Sequence, residues 1–225
     1  PAMIDMFNAM VDEMFEYGRF ILKEKRKNPA NDLLSAIANA EINGEKLSDE
    51  FLDGSWLLII FAGNDTTRNT MSGGIKLLHE NQEQKEMLID DLELLPNFIN
   101  ETVRCVSPVI HMRRTSLEET EINGQKIGPY EKIALWYGAA NRDPSVFEDP
   151  NKFNILRDNA DKHLAFGIGR HTCIGKPIAL MQLQEFYSQF LVRFQDFEMN
   201  GDWKVAPNNF VHAIQEMPIK YSPEN

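Results

Sequence analysis

The sequence predicts a mainly α-helical fold with small β-sheets, on three observations. Across the first two-thirds of the 225 residues, apolar side chains recur at helical spacing, beginning with Ile4, Phe7, Val11, Met14 and Phe15. That period is the mark of helices with one buried face. The strand signals that follow are short and bounded by turn residues, as where Thr120-Glu121-Ile122 and Gln125-Lys126-Ile127 flank Asn123-Gly124. Finally, residues 138–175 are rich in Gly, Asn, Asp and Pro, and so long an ordered loop in a compact domain is generally functional.

Taken in order, the first helix covers about residues 3–27 and stops ahead of Pro29, whose missing N–H and ring end a helix. A second covers roughly 32–40, followed by a turn at Asn43-Gly44. Ser48 then caps a long helix reaching to about Glu80, with Asp49 and Glu50 in its first turn, where the helix dipole favours carboxylates. Another helix covers about 96–106 and ends before Pro108. A hairpin on Asn123-Gly124 is expected next, then a strand over about 132–137. A last helix begins near Lys176, with Pro177 suited to its first turn, and ends near Phe194. The hexamers EINGEK and EINGQK stand 80 residues apart. They read as repeated turn chemistry, because nothing around them repeats.

Composition narrows the classes of function. Hydrophobic residues at 43% and charged residues at 25% are ordinary for a globular chain with a sizeable core. A net charge of −11 repels phosphates and argues against a nucleic-acid surface. Cys105 and Cys173 are the two cysteines, too few for a disulfide framework, which points to a reducing compartment. No signal peptide opens the chain, and the longest apolar run, 56–62, is far short of the roughly 20 residues that span a bilayer. The expectation is a soluble, cytoplasmic protein with no membrane span. The sequence starts at Pro1 directly in a helical pattern, which reads as a truncated chain.

The run FGIGRHTCIG concentrates the chemistry. Gly167, Gly169 and Gly175 around Cys173 let the backbone curl and approach a flat ligand without Cβ clashes. A helix starting just after the cysteine aims N–H groups and positive dipole at the sulfur, favouring the thiolate that binds metal. Phe166 can cover the sulfur, and His171 can donate to a carboxylate. A dinucleotide fingerprint fails because Thr172 stands where its third glycine belongs. A phosphate loop fails because Pro177 follows Gly175-Lys176. A zinc site lacks further ligands at metal-binding spacing. On these residues alone, a haem ligand and an inert buried thiol both remain open.

FGIGRHTCIG resembles the haem-binding signature of the cytochrome P-450 family, with phenylalanine, two glycines, basic residue, cysteine and final glycine in place. The resemblance implies haem b as cofactor, Cys173 as its thiolate ligand, and a thiolate that pushes electron density onto iron to favour O–O cleavage.

Two more motifs stand upstream. Phe61-Ala62-Gly63-Asn64-Asp65-Thr66-Thr67 lies in mid-helix, where glycine and β-branched threonines weaken the interior and hydroxyls can bond preceding carbonyls and bend it. A hydroxyl beside an acid suits proton delivery. Residues 62–66 resemble the family's oxygen-activation motif, which implies that Asp65 and Thr66 form the acid–alcohol pair. Glu101 and Arg104 share a helix face at i, i+3; standing alone, such a pair is a surface ion pair of little weight. It matches the family's Glu-x-x-Arg, which implies a structural network. The network's third arginine would fall near 150–153, where Lys152 stands, and lysine lacks the planar fork.

The resemblance extends to the cofactor cradle and pocket. Arg114, rather than the adjacent Arg113, and His171 are implied as propionate ligands. Leu58, Ile59 and Ala62, with Val109, Ile110, Phe210 and Val211, are the apolar residues expected to face a hydrophobic substrate; each is also an ordinary core residue by type. GNDTTRNTMSGG, HMRRTS and ALWYGAANRD look most like bacterial soluble members that hydroxylate alkane or fatty-acid chain ends, and relatives acting on terpenes and sterol side chains. The implied activity is insertion of one oxygen atom from O2 into such a substrate. Electrons would come from a separate ferredoxin-type donor docking on Arg170, Lys176 and Lys162, through complementary charge. The resemblance implies the C-terminal, haem-binding half of one family domain across residues 1–225. Two other readings stand beside it: a haem-binding member that does not oxygenate, and a haem-free thiol or metal module built on Cys173.

Overall fold

The computed structural model describes residues 2–222. They gather into two compact units, one up to Asn64 and one from Asp65 onward.

In the first unit, helix α1 (Ala2–Lys27) ends in Lys25, Arg26 and Lys27, cations placed where the dipole's negative end favours them. Helix α2 (Leu33–Ala38) is capped by Asp32, whose carboxylate accepts from the Ser35 N–H at 2.7 Å. Strands β1 (Glu41–Ile42) and β2 (Glu45–Lys46) pair antiparallel across Asn43 and Gly44, with φ of 55° and 84°. Helix α3 (Asp49–Glu80) carries acids in its first turn, as expected. Leu22, Ala38, Leu52 and Trp56 form the core here. The Trp56 indole N–H donates to the Met14 carbonyl at 3.0 Å, and its ring lies so close to Gly18 that a Cβ there would sit 2.4 Å from it.

Helix α3 is unbroken across the glycine- and threonine-bearing stretch 61–67. The side chains that follow bond the carbonyls of the preceding turn: the Thr70 hydroxyl donates to Thr66 O and the Asn69 amide to Asp65 O, both at 2.8 Å.

The second unit continues with α4 (Gln82–Asp90), α5 (Leu95–Val106), β3 (His111–Thr115), β4 (Thr120–Ile122), β5 (Gln125–Ile127), β6 (Lys132–Trp136), α6 (Tyr137–Ala140), α7 (Lys176–Arg193), β7 (Glu198–Met199), β8 (Lys204–Ala206), β9 (Ala213–Glu216) and β10 (Ile219–Lys220). The strands form two-stranded antiparallel pairs: β3 with β6, β4 with β5, β7 with β10, β8 with β9. In the β4–β5 hairpin Asn123 and Gly124 have φ of 49° and 81°. The two EING hexamers are thus the same left-handed turn used twice, a type that asks for Asn-Gly.

The sequence reading passed over α4 because QEQKEMLID shows no apolar stripe; the helix buries Leu88 and Lys85, whose ammonium donates to the Phe197 carbonyl at 2.9 Å. Strands β7 to β10 are two to four residues long, too short for alternation to be read. Stretch 138–175 is largely irregular, with α6 at its start and single 3₁₀ turns at Ala160–Lys162 and Gly169–His171.

The main core joins the second half of α3 to α5 and α7 through Leu78, Leu88, Leu95, Phe98, Leu183, Tyr187 and Leu191. Phe98 meets Tyr187 edge-on at 4.7 Å, and the buried Tyr187 hydroxyl donates to Met71 O at 2.7 Å. A Cβ at Gly74 would lie 2.1 Å from that hydroxyl, so the helices come this close only over a glycine.

Candidate functional site

Cys173 stands in a loop whose two ends are sewn together. Its N–H donates to the Phe166 carbonyl at 2.8 Å, and Thr172 N–H returns to Gly169 O at 3.1 Å. Gly167 and Gly169 have φ of 72° and 70°, a left-handed region in which a side chain is strained. A Cβ at Gly167 would also meet the His171 carbonyl at 3.1 Å. Gly175 caps α7, with Pro177 in its first turn. The thiol of Cys173 is exposed, flanked by Ile168 and Ile174, 76% and 81% exposed. A thiol with an apolar collar and glycines on both sides is the donor set for a flat, apolar, metal-bearing group. Among the described residues no three His, Cys, Asp or Glu side chains cluster to hold a bare metal ion. Phe166 packs against the core, with Lys176 Nζ 5.5 Å from its ring and His163 at 5.6 Å. His171 is exposed.

Glu101 and Arg104 are wholly buried and not a surface pair. Arg104 Nε and Nη2 donate to the two carboxylate oxygens at 2.7 and 2.8 Å. The third member of the network is Arg157, which corrects the expected place of that arginine near 150–153, where Lys152 stands. Arg157 Nε lies 3.2 and 3.1 Å from the Glu101 oxygens, while Lys152 turns its ammonium out to Asp149 at 2.5 Å. Lys152 gives only its backbone carbonyl, which accepts from Arg104 and Arg157 at 3.2 and 3.1 Å. A buried ion cluster holds when its remaining donors are also satisfied, and here carbonyls of Asn141, Glu148, Asp149 and Pro150 take the guanidinium N–H groups. Cys105 borders the cluster, its sulfur 3.2 Å from Arg104 Nη2. Burial, with the Glu101 charge behind it, pushes that thiol up to about 11.

On α3, Asp65 pairs with Arg68 at 2.6 Å, and Thr66 is half-buried beside it. Leu58 and Ala62 are exposed and Ile59 half-buried. On β3, Arg113 pairs opposite Ala134 and Arg114 opposite Ile133. Neighbours on a strand point to opposite faces, so the two arginines are separated: Arg113 is exposed, Arg114 half-buried.

Four of the expected pocket residues do come together. Val109 bridges Val211 antiparallel, and Ile110 N–H donates to Phe210 O at 2.8 Å. His111 stacks edge-on against Trp136 at 4.8 Å. Two side chains the sequence reading did not use are buried close to the loop. Asn141 is 0% exposed and His163 7%; both lie in the irregular stretch, where no periodicity marks a buried position.

A family model described as cytochrome P450 matches residues 76–222. The chain belongs to the cytochrome P-450 family. The steroid C26-monooxygenase of Mycolicibacterium smegmatis is 37% identical over 210 residues, covering 92% of this chain and 52% of that protein. A methyl-branched lipid omega-hydroxylase of Mycobacterium bovis is 33% identical over 220 residues, covering 97% of this chain and 51% of the relative. The crystal structure of CYP108D1 from Novosphingobium aromaticivorans superposes with a TM-score of 0.89 at 33% identity, over 98% of this chain and 53% of that one.

The chain therefore spans about half the length of the P-450 relatives it matches. The mainly helical architecture with small sheets is that of the P-450 structures. Among the described residues no helix is long and apolar enough to cross a membrane.

Proposed function

We propose that the protein carrying this chain is a haem-thiolate monooxygenase with Cys173 as the proximal ligand. The observation that carries it is the exposed thiol of Cys173, set between two left-handed glycines and the start of α7 in a member of the P-450 family. When bound, a thiolate-ligated haem supplies the electron density on iron that splits O–O bonds. The chain's residues do the rest. Gly167, Gly169 and Gly175 keep the backbone close without side-chain bulk, Phe166 backs the loop, and the exposed Ile168 and Ile174 offer apolar surface beside the thiol. His171 and Arg114 hold carboxylates on the cofactor's edge by charge-assisted hydrogen bonds.

Asp65 and Thr66 hold and pass protons. Asp65 is paired with Arg68 at 2.6 Å, which fixes where its carboxylate stands on α3. Val109, Ile110, Phe210 and Val211, drawn together by the Val109–Val211 bridge and the Ile110–Phe210 hydrogen bond, receive an apolar substrate. The substrate class is a hydrophobic molecule oxidised at an alkyl end, a reading supported by the activity named for the lipid omega-hydroxylase relative. A ferredoxin-type donor docks over Arg170, Lys162 and Lys176. Arg170 and Lys162 are exposed and Lys176 half-buried, on a chain of net charge −11. Glu101, Arg104 and Arg157 form the buried frame. The cell compartment is read as the cytoplasm.

The test is the spectrum of the reduced, carbon-monoxide-bound full-length protein loaded with haem. A red-shifted Soret band is expected, and it disappears in Cys173→Ala. Survival of the band in that variant would overturn the assignment.

A further inference from the structure

We propose that Asn141 is a positioning residue that ties the cysteine loop to the buried Glu101–Arg104–Arg157 cluster and thereby sets where Cys173 stands. The inference rests on the proposed function and concerns how the ligand is held.

Asn141 closes α6 and is completely buried. Each of its polar atoms is engaged. Its backbone N–H donates to Tyr137 O at 2.9 Å, and its carbonyl accepts from Arg104 Nη1 at 2.7 Å. Its side-chain Nδ2 donates to Ser107 Oγ at 2.8 Å. Its Oδ1 accepts the Leu164 N–H at 2.6 Å. Ser107 is itself buried and donates back to Arg104 O at 2.9 Å. One edge of this residue is thus bonded to the end of α5, and the other to the strand of chain entering the cysteine loop.

From Leu164 the path is short. The Leu164 carbonyl accepts from Gly167 N–H, and the Phe166 carbonyl accepts from Cys173 N–H, each at 2.8 Å. The next amide, Ala165 N–H, is taken at 3.2 Å by Nδ1 of the buried His163. Two successive N–H groups of an irregular segment are therefore held by buried side chains rather than by a helix or sheet ladder. Only a side chain offering an acceptor and a donor at this length does both jobs, which is why an amide stands here. Residues that orient a metal ligand from behind commonly change metal affinity or activity by roughly 10–100-fold when removed.

The test uses the full-length, haem-loaded protein. Asn141→Ala is expected to lose haem to an excess of haem-free globin about 10–100-fold faster. Its reduced carbon-monoxide complex is expected to show a smaller fraction of the red-shifted band. Asn141→Asp, which keeps the acceptor for Leu164 but gives up the donor to Ser107, is expected to recover only part of each loss. A folded Asn141→Ala with unaltered haem loss and spectrum overturns the proposal, even if its unfolding midpoint drops, because that is what a purely structural residue would do. Should Asn141→Ala not fold, hydrogen exchange on the unaltered protein decides. The amides of Asn141, Leu164 and Cys173 are expected to be protected together, and a fast-exchanging Leu164 beside a protected Asn141 overturns the idea. Loss of the band in Cys173→Ala alongside an unaffected Asn141→Ala sinks this inference alone, whereas survival of the band in Cys173→Ala sinks the functional reading first.

Discussion

Arg157 sets its Nε 3.2 and 3.1 Å from the two carboxylate oxygens of Glu101, an acid that Arg104 already grips at 2.7 and 2.8 Å. Removing one member of a buried ion cluster leaves the rest uncompensated, at about 3–5 kcal/mol. Arg157→Ala is therefore expected to destabilise by about that much in urea unfolding. Lys152→Ala, whose ammonium sits in an exposed pair with Asp149, stays within about 0.5 kcal/mol. Equal losses in the two variants would contradict the assignment of the third member.

His163 gives the fold a pH dependence. Burial holds its imidazole down at about 4 from 6.5; Lys176 and Arg104 push the same way, and Asp161 and Glu101 oppose them. Between those values the unfolded chain binds a proton that the folded chain does not. Stability is therefore complete above 6.5 and falls as pH drops toward 4, with a slope approaching about 1.4 kcal/mol per pH unit. His163→Gln is expected to remove that part of the slope in unfolding titrations across the window.

The two cysteines differ in reactivity. Cys105 is half-buried with its thiol held up to about 11 by burial, and Cys173 is exposed. In folded haem-free protein iodoacetamide near neutral pH is expected to label Cys173 and spare Cys105, since the thiolate is the nucleophile. Haem loading protects Cys173 as well, and denaturation exposes both. Mass spectrometry of the labelled peptides checks each stage; faster labelling of Cys105 would contradict the burial argument.

Arg113 and Arg114 occupy opposite faces of β3. If Arg114 is the propionate ligand, Arg114→Ala speeds haem loss by roughly 10-fold while Arg113→Ala leaves it unchanged. The reverse order would move the cradle to the other face of the strand.

Much of the helical frame was legible. The long α3 announces itself through Ser48, Asp49 and Glu50, and α7 through Gly175 and Pro177, because caps act within a few residues. Both Asn-Gly hairpins could be read for the same reason. Helix α4 could not, since QEQKEMLID shows no stripe, and the dipeptide strands carry no period. Arg157 escaped notice because the expected slot was counted along the chain, whereas the loop folds back and carries the guanidinium in from a later residue.

What the sequence by itself determined is chemistry tied to local spacing: a cysteine among glycines ahead of a helix, an acid beside a threonine, an acid and an arginine one helical turn apart. Only the tertiary structure decided which cation meets Glu101, which face of β3 carries Arg114, and that Asn141 holds Leu164. Those are contacts between residues far apart in sequence, as with Arg157 and Glu101 at a separation of 56. They depend on how irregular backbone packs around buried polar groups that must each find a partner, and no periodicity along the chain encodes that.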